Sequence, residues 1–450
     1  RTATKPDVRQ ETVRTDPSIP QDRVRAVRES KCASRGLRYL SPNGAFPHAR
    51  TWLAASVVAA VATGMGAGLT GCGGAEAADT PQLTAGPAGA NLWEVPPVVA
   101  AGARAGDIYW AQERSDAPAG SRGWNVIYVS EVTPGQLQYV SGEIYLPTAA
   151  AVAPGDVVLW NHETTGNADA CAPSRRETAY GDGTPRVPAL AGLLAKGHVV
   201  VMSDYPGLGL SGPTFYMAGE PNARASLDML RVARNFPDAH ASTRFAMYGW
   251  SQGGQTTLWA SSIASTYASE FQPVGGVLIA PAGRILDLTL NSMTETSLAG
   301  YVISTLPGIR SLFPALKYGD FLTVEGLEQF PAMTDGCFDV FGAAAAVTDP
   351  YKPDALVPGS PWYQAMAQVD SFRSVKEVPM LILQGSLDDT TPVPLTARLR
   401  TDLCAAGAAV DYRESAGLDH ISIVPVADGV VPGWVEARFK GDVAATNCGV

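Results

Sequence analysis

Apolar and polar residues alternate in two neighbouring segments, 125–132 and 137–146, which flank the dipeptide Pro134-Gly135. A period of two is typical of strands that bury one face, and a Pro-Gly pair favours a tight turn. The two segments therefore predict an antiparallel hairpin, which we expect at one edge of a sheet.

Five short apolar runs follow the hairpin, with longer helical stretches between them. Because these runs are continuous and rich in β-branched residues, they indicate strands buried on both faces, as in a parallel sheet covered by crossover helices. The fold class is therefore predicted to be α/β, with a mainly parallel central sheet and helices on both faces. The runs are residues 157–160, 199–202, 245–248, 276–279 and 380–383.

The strand pattern lapses between about residues 283 and 375, where amphipathic stretches replace it. An insertion at this point can cover the carboxyl ends of the strands without breaking the core pairing. We expect an inserted helical cap with stretches at 297–306, 309–316 and 324–330, broken by Pro307, Gly308 and Pro314.

The charge is divided unevenly along the chain. Residues 1–50 carry 11 Lys and Arg against 5 Asp and Glu, whereas the remaining 400 residues carry 22 against 38. An acidic body without a basic stripe lacks the electrostatic footprint of a nucleic-acid-binding protein. We therefore exclude nucleic acid as a partner.

Residues 51–72 have the pattern of an export signal. The stretch 51–71 has no charged residue and ends in Leu69-Thr70-Gly71-Cys72, which resembles a bacterial lipobox. In such a signal the cysteine receives the lipid, so Cys72 is the predicted lipidation site of a surface lipoprotein. A plain secretory signal cut near residues 75–78, or a short membrane anchor, is the alternative.

The segments on either side of this signal carry little pattern. Residues 1–50, which start with Arg1, are either an over-extended reading frame or a disordered extension. Residues 73–105 are rich in Ala, Gly and Pro and are predicted to be a linker that docks near Trp93. The catalytic domain is expected to span residues 106–450, with the cap at about 283–375.

Six cysteines are present, and no pair has the Cys-x-x-Cys spacing of zinc or redox sites. Cys32 and Cys72 precede the predicted domain. The other four suit two disulfides in an exported protein, and their spacing allows three pairings. They are Cys171, Cys337, Cys404 and Cys448.

The segment Gly249-Trp250-Ser251-Gln252-Gly253 lies between a predicted strand and a helical stretch. In this context the Gly-x-Ser-x-Gly pattern is typical of the nucleophile turn of an α/β-hydrolase fold, where flanking glycines allow a sharp bend. Ser251 is therefore the predicted nucleophile. A serine hydroxyl needs a base to take its proton, which directs attention to the histidines.

His420 is the predicted general base, because this fold supplies its triad in the order Ser, acid, His. A structural histidine is the alternative for His420, and it is the reading that we give to the four histidines before Ser251. Those four are His48, His162, His198 and His240.

The acid is expected just after the apolar run 380–383. Asp388, three residues beyond Gly385, fits the acid turn of many hydrolases. Asp389 stays open as the acid, and so does a calcium site that uses both carboxylates.

Ester attack creates an oxyanion that needs two hydrogen-bond donors. The backbone N–H of Gln252, directly after the nucleophile, is the first predicted donor. Thr164, on the loop after the first buried run, is the predicted second donor, with an ordinary polar turn as the alternative.

Together these motifs resemble the secretory lipases of the Candida antarctica lipase A type, including their actinobacterial branch. The resemblance covers most of residues 92–448. It rests on the serine motif and on further short blocks in the same order, namely 162–166, 171–174, 204–209, 219–220, 385–392, 403–407, 417–420, 434–439 and Cys448.

The resemblance implies a triad of Ser251, Asp388 and His420, and disulfides that join Cys171 to Cys337 and Cys404 to Cys448. One position departs from the family, since Glu163 stands where relatives usually have glycine after the first histidine of the oxyanion loop. If this position needed a positive φ, a glutamate there would cost about 1 kcal/mol or more.

The sequence thus predicts an exported serine carboxylic ester hydrolase, a lipase or esterase that works through an acyl-enzyme and needs no cofactor or metal. Its partners would be esters with an acyl chain, and a membrane only through a lipid anchor or lipid interface. Two alternatives remain: an esterase for polyesters or acetylated natural products, and a non-catalytic surface binding protein on a hydrolase frame.

Overall fold

The computed structural model describes residues 91–148, 155–177, 186–338, 341–342, 344, 347–370 and 375–449. The predictions for residues 1–50, for the signal at 51–72 with Cys72, and for the linker before residue 91 lie outside these ranges. Within the linker, Leu92 is buried, and Trp93 packs beside it against the residues around Ile127 and Tyr139.

The described residues contain one sheet of nine strands in the order β1-β2-β3-β5-β4-β6-β7-β8-β9. Strands β1, β2, β3 and β5 pair antiparallel, and the strands from β5 to β9 pair parallel. The strands are β1 Ile108–Arg114, β2 Ser121–Thr133, β3 Gln136–Pro147, β4 Gly155–Asn161, β5 Val199–Ser203, β6 Ala241–Trp250, β7 Gln272–Ile279, β8 Met380–Gly385 and β9 Val410–Ser415.

Strands β2 and β3 are the predicted hairpin, with Trp124 opposite Ile144 and a positive φ of 78° at Gly135 in the turn. The hairpin does not form the edge of the sheet, because β1 pairs with the outer side of β2. That expectation was wrong. Strand β1 buries Trp110 and Ala111 in succession, so it lacks the alternation that reveals a strand.

The five predicted apolar runs form the buried parallel strands, and both faces of the sheet are covered. In β4, Val157 and Leu159 pack with helices α2 and α3, whereas Val158 and Trp160 pack with α1 and α9 on the opposite face. This alternation is the period of two expected along a strand. The helices around the sheet are α1 Leu190–Ala195, α2 Glu220–Asn235, α3 Gln252–Tyr267, α8 Val393–Ala405 and α9 Val424–Phe439.

In the described part of the segment between β7 and β8, four further helices enclose a separate apolar cluster. The expected break at Pro307 and Gly308 is wrong, because one helix runs through both residues. A Cβ atom on Gly308 would lie 2.0 Å from the carbonyl oxygen of Tyr216, so the glycine permits close packing. The helices are α4 Ile285–Ser292, α5 Ala299–Leu312, α6 Val324–Asp335 and α7 Pro361–Val369.

Two disulfides join distant parts of the chain with the pairing that the resemblance implies. Cys171 is bonded to Cys337, 166 residues away, and Cys404 is bonded to Cys448. Beside the first disulfide, the N–H of Phe338 donates to the carbonyl of Thr165 at 2.9 Å. The loop after β4 is thus held to the segment that follows α6.

Within the described ranges, no helix is both long enough and apolar enough to cross a membrane.

Candidate active site

Ser251 lies at the sharp turn between β6 and α3, with φ 55° and ψ −115°. Such a conformation costs a non-glycine residue roughly 1–3 kcal/mol, and it is held here by the surrounding backbone. The Ser251 N–H donates to Ile279 O at 2.9 Å, and the Ser251 carbonyl accepts from Ala282 N at 3.0 Å. A Cβ on Gly253 would lie 1.9 Å from Asn161 O, which explains why the turn needs a glycine there.

His420 and Asp388 meet on loops that follow neighbouring strands, β9 and β8. The His420 Nδ1 atom lies 2.9 Å from Asp388 Oδ2. The other candidate acid, Asp389, is exposed, and its side chain accepts a hydrogen bond from the Thr390 hydroxyl. The structure therefore pairs the histidine with Asp388.

The Asp388 carboxylate is surrounded by donors. Its Oδ1 accepts from the N–H groups of Thr390 and Thr391 at 3.0 and 2.7 Å, and its Oδ2 accepts from Gln384 Nε2 at 3.0 Å. Burial raises the pKa of Asp388, but the hydrogen bond and charge of His420 and the bonds from Thr391 outweigh it, so the pKa lies below its ordinary value. The carboxylate thus stays charged.

Trp250, the residue before the nucleophile, ties the histidine loop to the serine turn. Its indole Nε1–H donates to the carbonyl of His420 at 3.1 Å, and the two rings lie 5.6 Å apart. Within the part of the chain that the structure describes, no hydrogen bond joins the Ser251 hydroxyl to the His420 ring. Such bonds are often long before substrate binds.

Ser251, Gln252 and Thr164 line one cavity of about 40 Å³. Thr391 also lines it, and its hydroxyl contacts both Asp388 and His420, at 2.9 and 3.3 Å. Residues of α4 and α5, together with Leu298 just before α5, also line this cavity; they are Ile285, Leu288, Thr289, Ser292, Leu298, Tyr301, Val302 and Thr305.

Thr164 has a partner that sequence reasoning missed. Its Oγ1 lies 2.8 Å from the hydroxyl of Tyr216, which lines the same cavity. The segment of Tyr216 is fixed to α3, because Gln255 Nε2 donates to Met217 O at 3.1 Å. Tyr216 stands in a stretch without periodic pattern, so no signal in the sequence marked it.

The model of the secretory lipase family matches residues 187–447. This chain belongs to the secretory lipase family.

Relatives of this chain align with it over part of their length. A secreted triacylglycerol lipase of Malassezia globosa is 28% identical over 318 residues, which is 65% of this chain and 67% of the relative. Lipase 4 of Candida albicans is 24% identical over 278 residues, 58% of this chain and 59% of the relative.

Solved structures share the fold. Candida antarctica lipase A in its closed state superposes with a TM-score of 0.66 at 18% identity, covering 82% of this chain and 90% of that one. A rice cell wall degrading esterase of Xanthomonas oryzae gives 0.59 at 19% identity, with 75% and 98% covered. The predicted α/β-hydrolase fold is confirmed.

Glu163, which stands where the resemblance implies a glycine, is not in the left-handed region. In the loop after β4, the residue with a positive φ is Gly166, at 122°. Glu163 is not among the described residues that have a positive φ. The anticipated strain at Glu163 is therefore absent. Its carboxylate lies close enough to raise the pKa of His162, although burial outweighs it and leaves that pKa lowered.

A metal site requires several clustered ligands. Over the ranges described, no group of three or more His, Cys, Asp and Glu residues could hold a metal ion. The calcium alternative for Asp388 and Asp389 also conflicts with the hydrogen bonds that occupy both Asp388 oxygens.

Proposed function

We propose that this member of the secretory lipase family is a serine carboxylic ester hydrolase that acts on esters with an acyl chain. The observation that carries the proposal is the His420–Asp388 pair, 2.9 Å apart, on a loop bonded through Trp250 to the turn of Ser251. The names of its relatives, which include a secreted triacylglycerol lipase, support the same reaction class.

In the first step, Ser251 Oγ attacks the ester carbonyl carbon while His420 Nε2 takes the hydroxyl proton. Asp388 accepts the Nδ1–H of His420, which leaves Nε2 as the base and stabilises the imidazolium that forms. The imidazolium then protonates the leaving alcohol as its bond to the carbonyl carbon breaks. The products of this step are an alcohol and an acyl-enzyme on Ser251.

Two hydrogen-bond donors would stabilise the negative charge that develops on the carbonyl oxygen. The N–H of Gln252 stands in the first turn of α3, where backbone N–H groups have no partner within the helix. Thr164, on the same cavity wall, supplies the second donor. One such donor typically contributes about 100- to 1,000-fold to kcat.

In the second step, His420 takes a proton from water, and the resulting hydroxide attacks the acyl carbonyl. The tetrahedral intermediate collapses, Ser251 leaves with the proton of His420, and the free acid departs. The side chains already named supply every proton transfer in this scheme.

The same proposal places the enzyme outside the cytoplasm, with residues 106–450 as the catalytic domain and the helices within 283–375 as its cap. Two disulfides suit an oxidising compartment. Cys72 is the proposed site of the lipid anchor. If so, Cys72→Ala moves the enzyme from the membrane fraction to the soluble fraction, and an unchanged distribution contradicts the anchor.

A second candidate is a non-catalytic binding protein. It is favoured by a Mycobacterium tuberculosis relative, described as a probable inactive lipase, that is 28% identical over 288 residues. Hydrolysis of p-nitrophenyl esters by the full chain, beside Ser251→Ala, separates the two. We expect turnover that the variant loses; turnover retained in the variant refutes the serine mechanism, and a folded wild type without turnover favours the binding protein.

A further inference from the structure

Two neighbouring cavities share part of their lining near the proposed nucleophile. The first, of about 40 Å³, is the one beside Ser251, and a second of about 10 Å³ lies between α4 and α8. Their linings have two residues in common, Leu288 and Thr391. These two side chains therefore form the partition between the cavities.

The two side chains of the partition, Thr391 and Leu288, differ in their contacts with the proposed triad. Thr391 belongs to the acid loop, and its hydroxyl contacts Asp388 and His420. Leu288 is a half-buried, purely apolar side chain on α4. Leu288 is thus the part of the partition whose size can change without disturbing the proposed triad.

The helix that carries Leu288 is fixed at its first turn. The Asp370 carboxylate accepts from the N–H groups of Ile285 and Leu286, the latter at 3.0 Å. Arg284, directly before the helix, pairs with Asp287 at 2.6 Å and with Asp402 on α8. These bonds connect α4 to its neighbours on two sides, so Leu288 stands at a fixed position.

The size of the first cavity limits what it can hold. A cavity needs roughly 10–15 Å³ to hold one water molecule, so a cavity of about 40 Å³ has room for only a few non-hydrogen atoms. An acyl group of two or three carbons has this size, and a hexanoyl group exceeds it. Replacing Leu288 by alanine would remove three carbon atoms of the partition and open the way into the second cavity.

We propose that Leu288 closes the end of the acyl site and restricts this enzyme to short acyl groups, acetyl and propionyl. The inference rests on the proposed ester hydrolysis at Ser251 and adds its substrate class.

The test compares kcat/KM for p-nitrophenyl acetate, propionate, butyrate, hexanoate and octanoate, using the full chain. In the wild type we expect the highest value for acetate or propionate and a fall of about tenfold by hexanoate, since one misplaced methylene changes kcat/KM by roughly 10- to 200-fold. In Leu288→Ala we expect the optimum at butyrate or hexanoate, with the hexanoate-to-acetate ratio raised at least about tenfold.

Two matched variants come from the same helix. Leu290→Ala makes the same exchange at an exposed position, and Leu286→Ala makes it in the buried cluster away from both cavities. Both should keep the wild-type chain-length ratio, even if Leu286→Ala lowers stability. If Leu288→Ala does not fold, Leu288→Val should give a smaller shift in the same direction.

A wild-type optimum at octanoate, or a ratio that Leu288→Ala leaves unchanged, overturns the role of Leu288 while leaving the proposed ester hydrolysis intact. A folded wild type that hydrolyses none of the esters overturns both. A shift shown equally by Leu286→Ala also overturns the inference, because it would reflect loosening of the helix rather than the partition.

Discussion

The imidazole Nδ1 of His420 lies 2.9 Å from the carboxylate Oδ2 of Asp388, whereas Asp389, one residue further, is exposed. This contact fixes which nitrogen of the histidine is free to act as a base. It also allows the effects of the same substitution to be compared at two adjacent aspartates, of which one contacts His420 and the other does not.

Asp388→Asn should lower kcat by about four orders of magnitude, because an amide no longer stabilises the imidazolium or selects the correct tautomer. Asp389→Asn is the matched control and should keep kcat within about twofold. Steady-state hydrolysis of p-nitrophenyl acetate measures both. Equal losses in the two variants would contradict the assignment of Asp388.

Tyr216→Phe should lower kcat about tenfold with little change in KM. The hydroxyl that it removes lies 2.8 Å from Thr164 Oγ1. Without this contact Thr164 would be misoriented, which should weaken stabilisation of the transition state more than binding of the ester. Tyr301→Phe is the control, since Tyr301 lines the same cavity and its hydroxyl makes no hydrogen bond with the residues described. A rise in KM alone would assign Tyr216 to substrate binding instead.

Removal of the Cys171–Cys337 disulfide by a double Ser substitution should lower both stability and kcat. The disulfide closes a long loop, which typically contributes about 2–5 kcal/mol, and it holds the loop of Thr164. The Cys404–Cys448 pair, which joins α8 to the last residues, should affect stability alone. Thermal unfolding and kcat of the two double variants check this prediction. An unchanged kcat in both variants would show that the Cys171–Cys337 disulfide does not influence the active site.

Asp370 predicts a pH dependence of stability. Burial raises the pKa of Asp370 to about 6 in the folded chain, above its ordinary value of 3.8. Between these values the folded state binds more protons than the unfolded state, so the free energy of unfolding falls as pH rises from about 4 to 6. Asp370→Asn should remove about 1–3 kcal/mol of that fall.

Urea unfolding of the wild type and of Asp370→Asn at pH 4, 5, 6 and 7 measures this difference. Asp228, whose pKa burial also raises to about 6, is present in both proteins and cancels in the comparison. Parallel pH curves for the two proteins would show that Asp370 does not titrate as described.

Much of the sheet could be predicted from the sequence, because buried parallel strands consist of continuous apolar runs such as 157–160 and 199–202. The nucleophile turn could be predicted because its geometry demands glycines around Ser251. In both cases a local physical requirement fixes the residue type within a few positions along the chain.

Features that depend on distant residues could not be predicted. Tyr216 reaches Thr164 across 52 positions, and the bond from Trp250 to His420 O spans 170. Helix α5 continues through Pro307 because packing against the segment of Tyr216 outweighs the local preference to break. Strand β1 is specified by its pairing with β2 rather than by its own pattern.

The proposed reactivity of Ser251 is the central claim, and covalent labelling tests it most directly. The full chain is treated with a fluorophosphonate probe, and the modified residue is located by peptide mass spectrometry. We predict stoichiometric labelling on Ser251, absent in Ser251→Ala and greatly slowed in His420→Ala. A folded wild-type protein that takes up no label, or that carries it on another serine, would contradict the account.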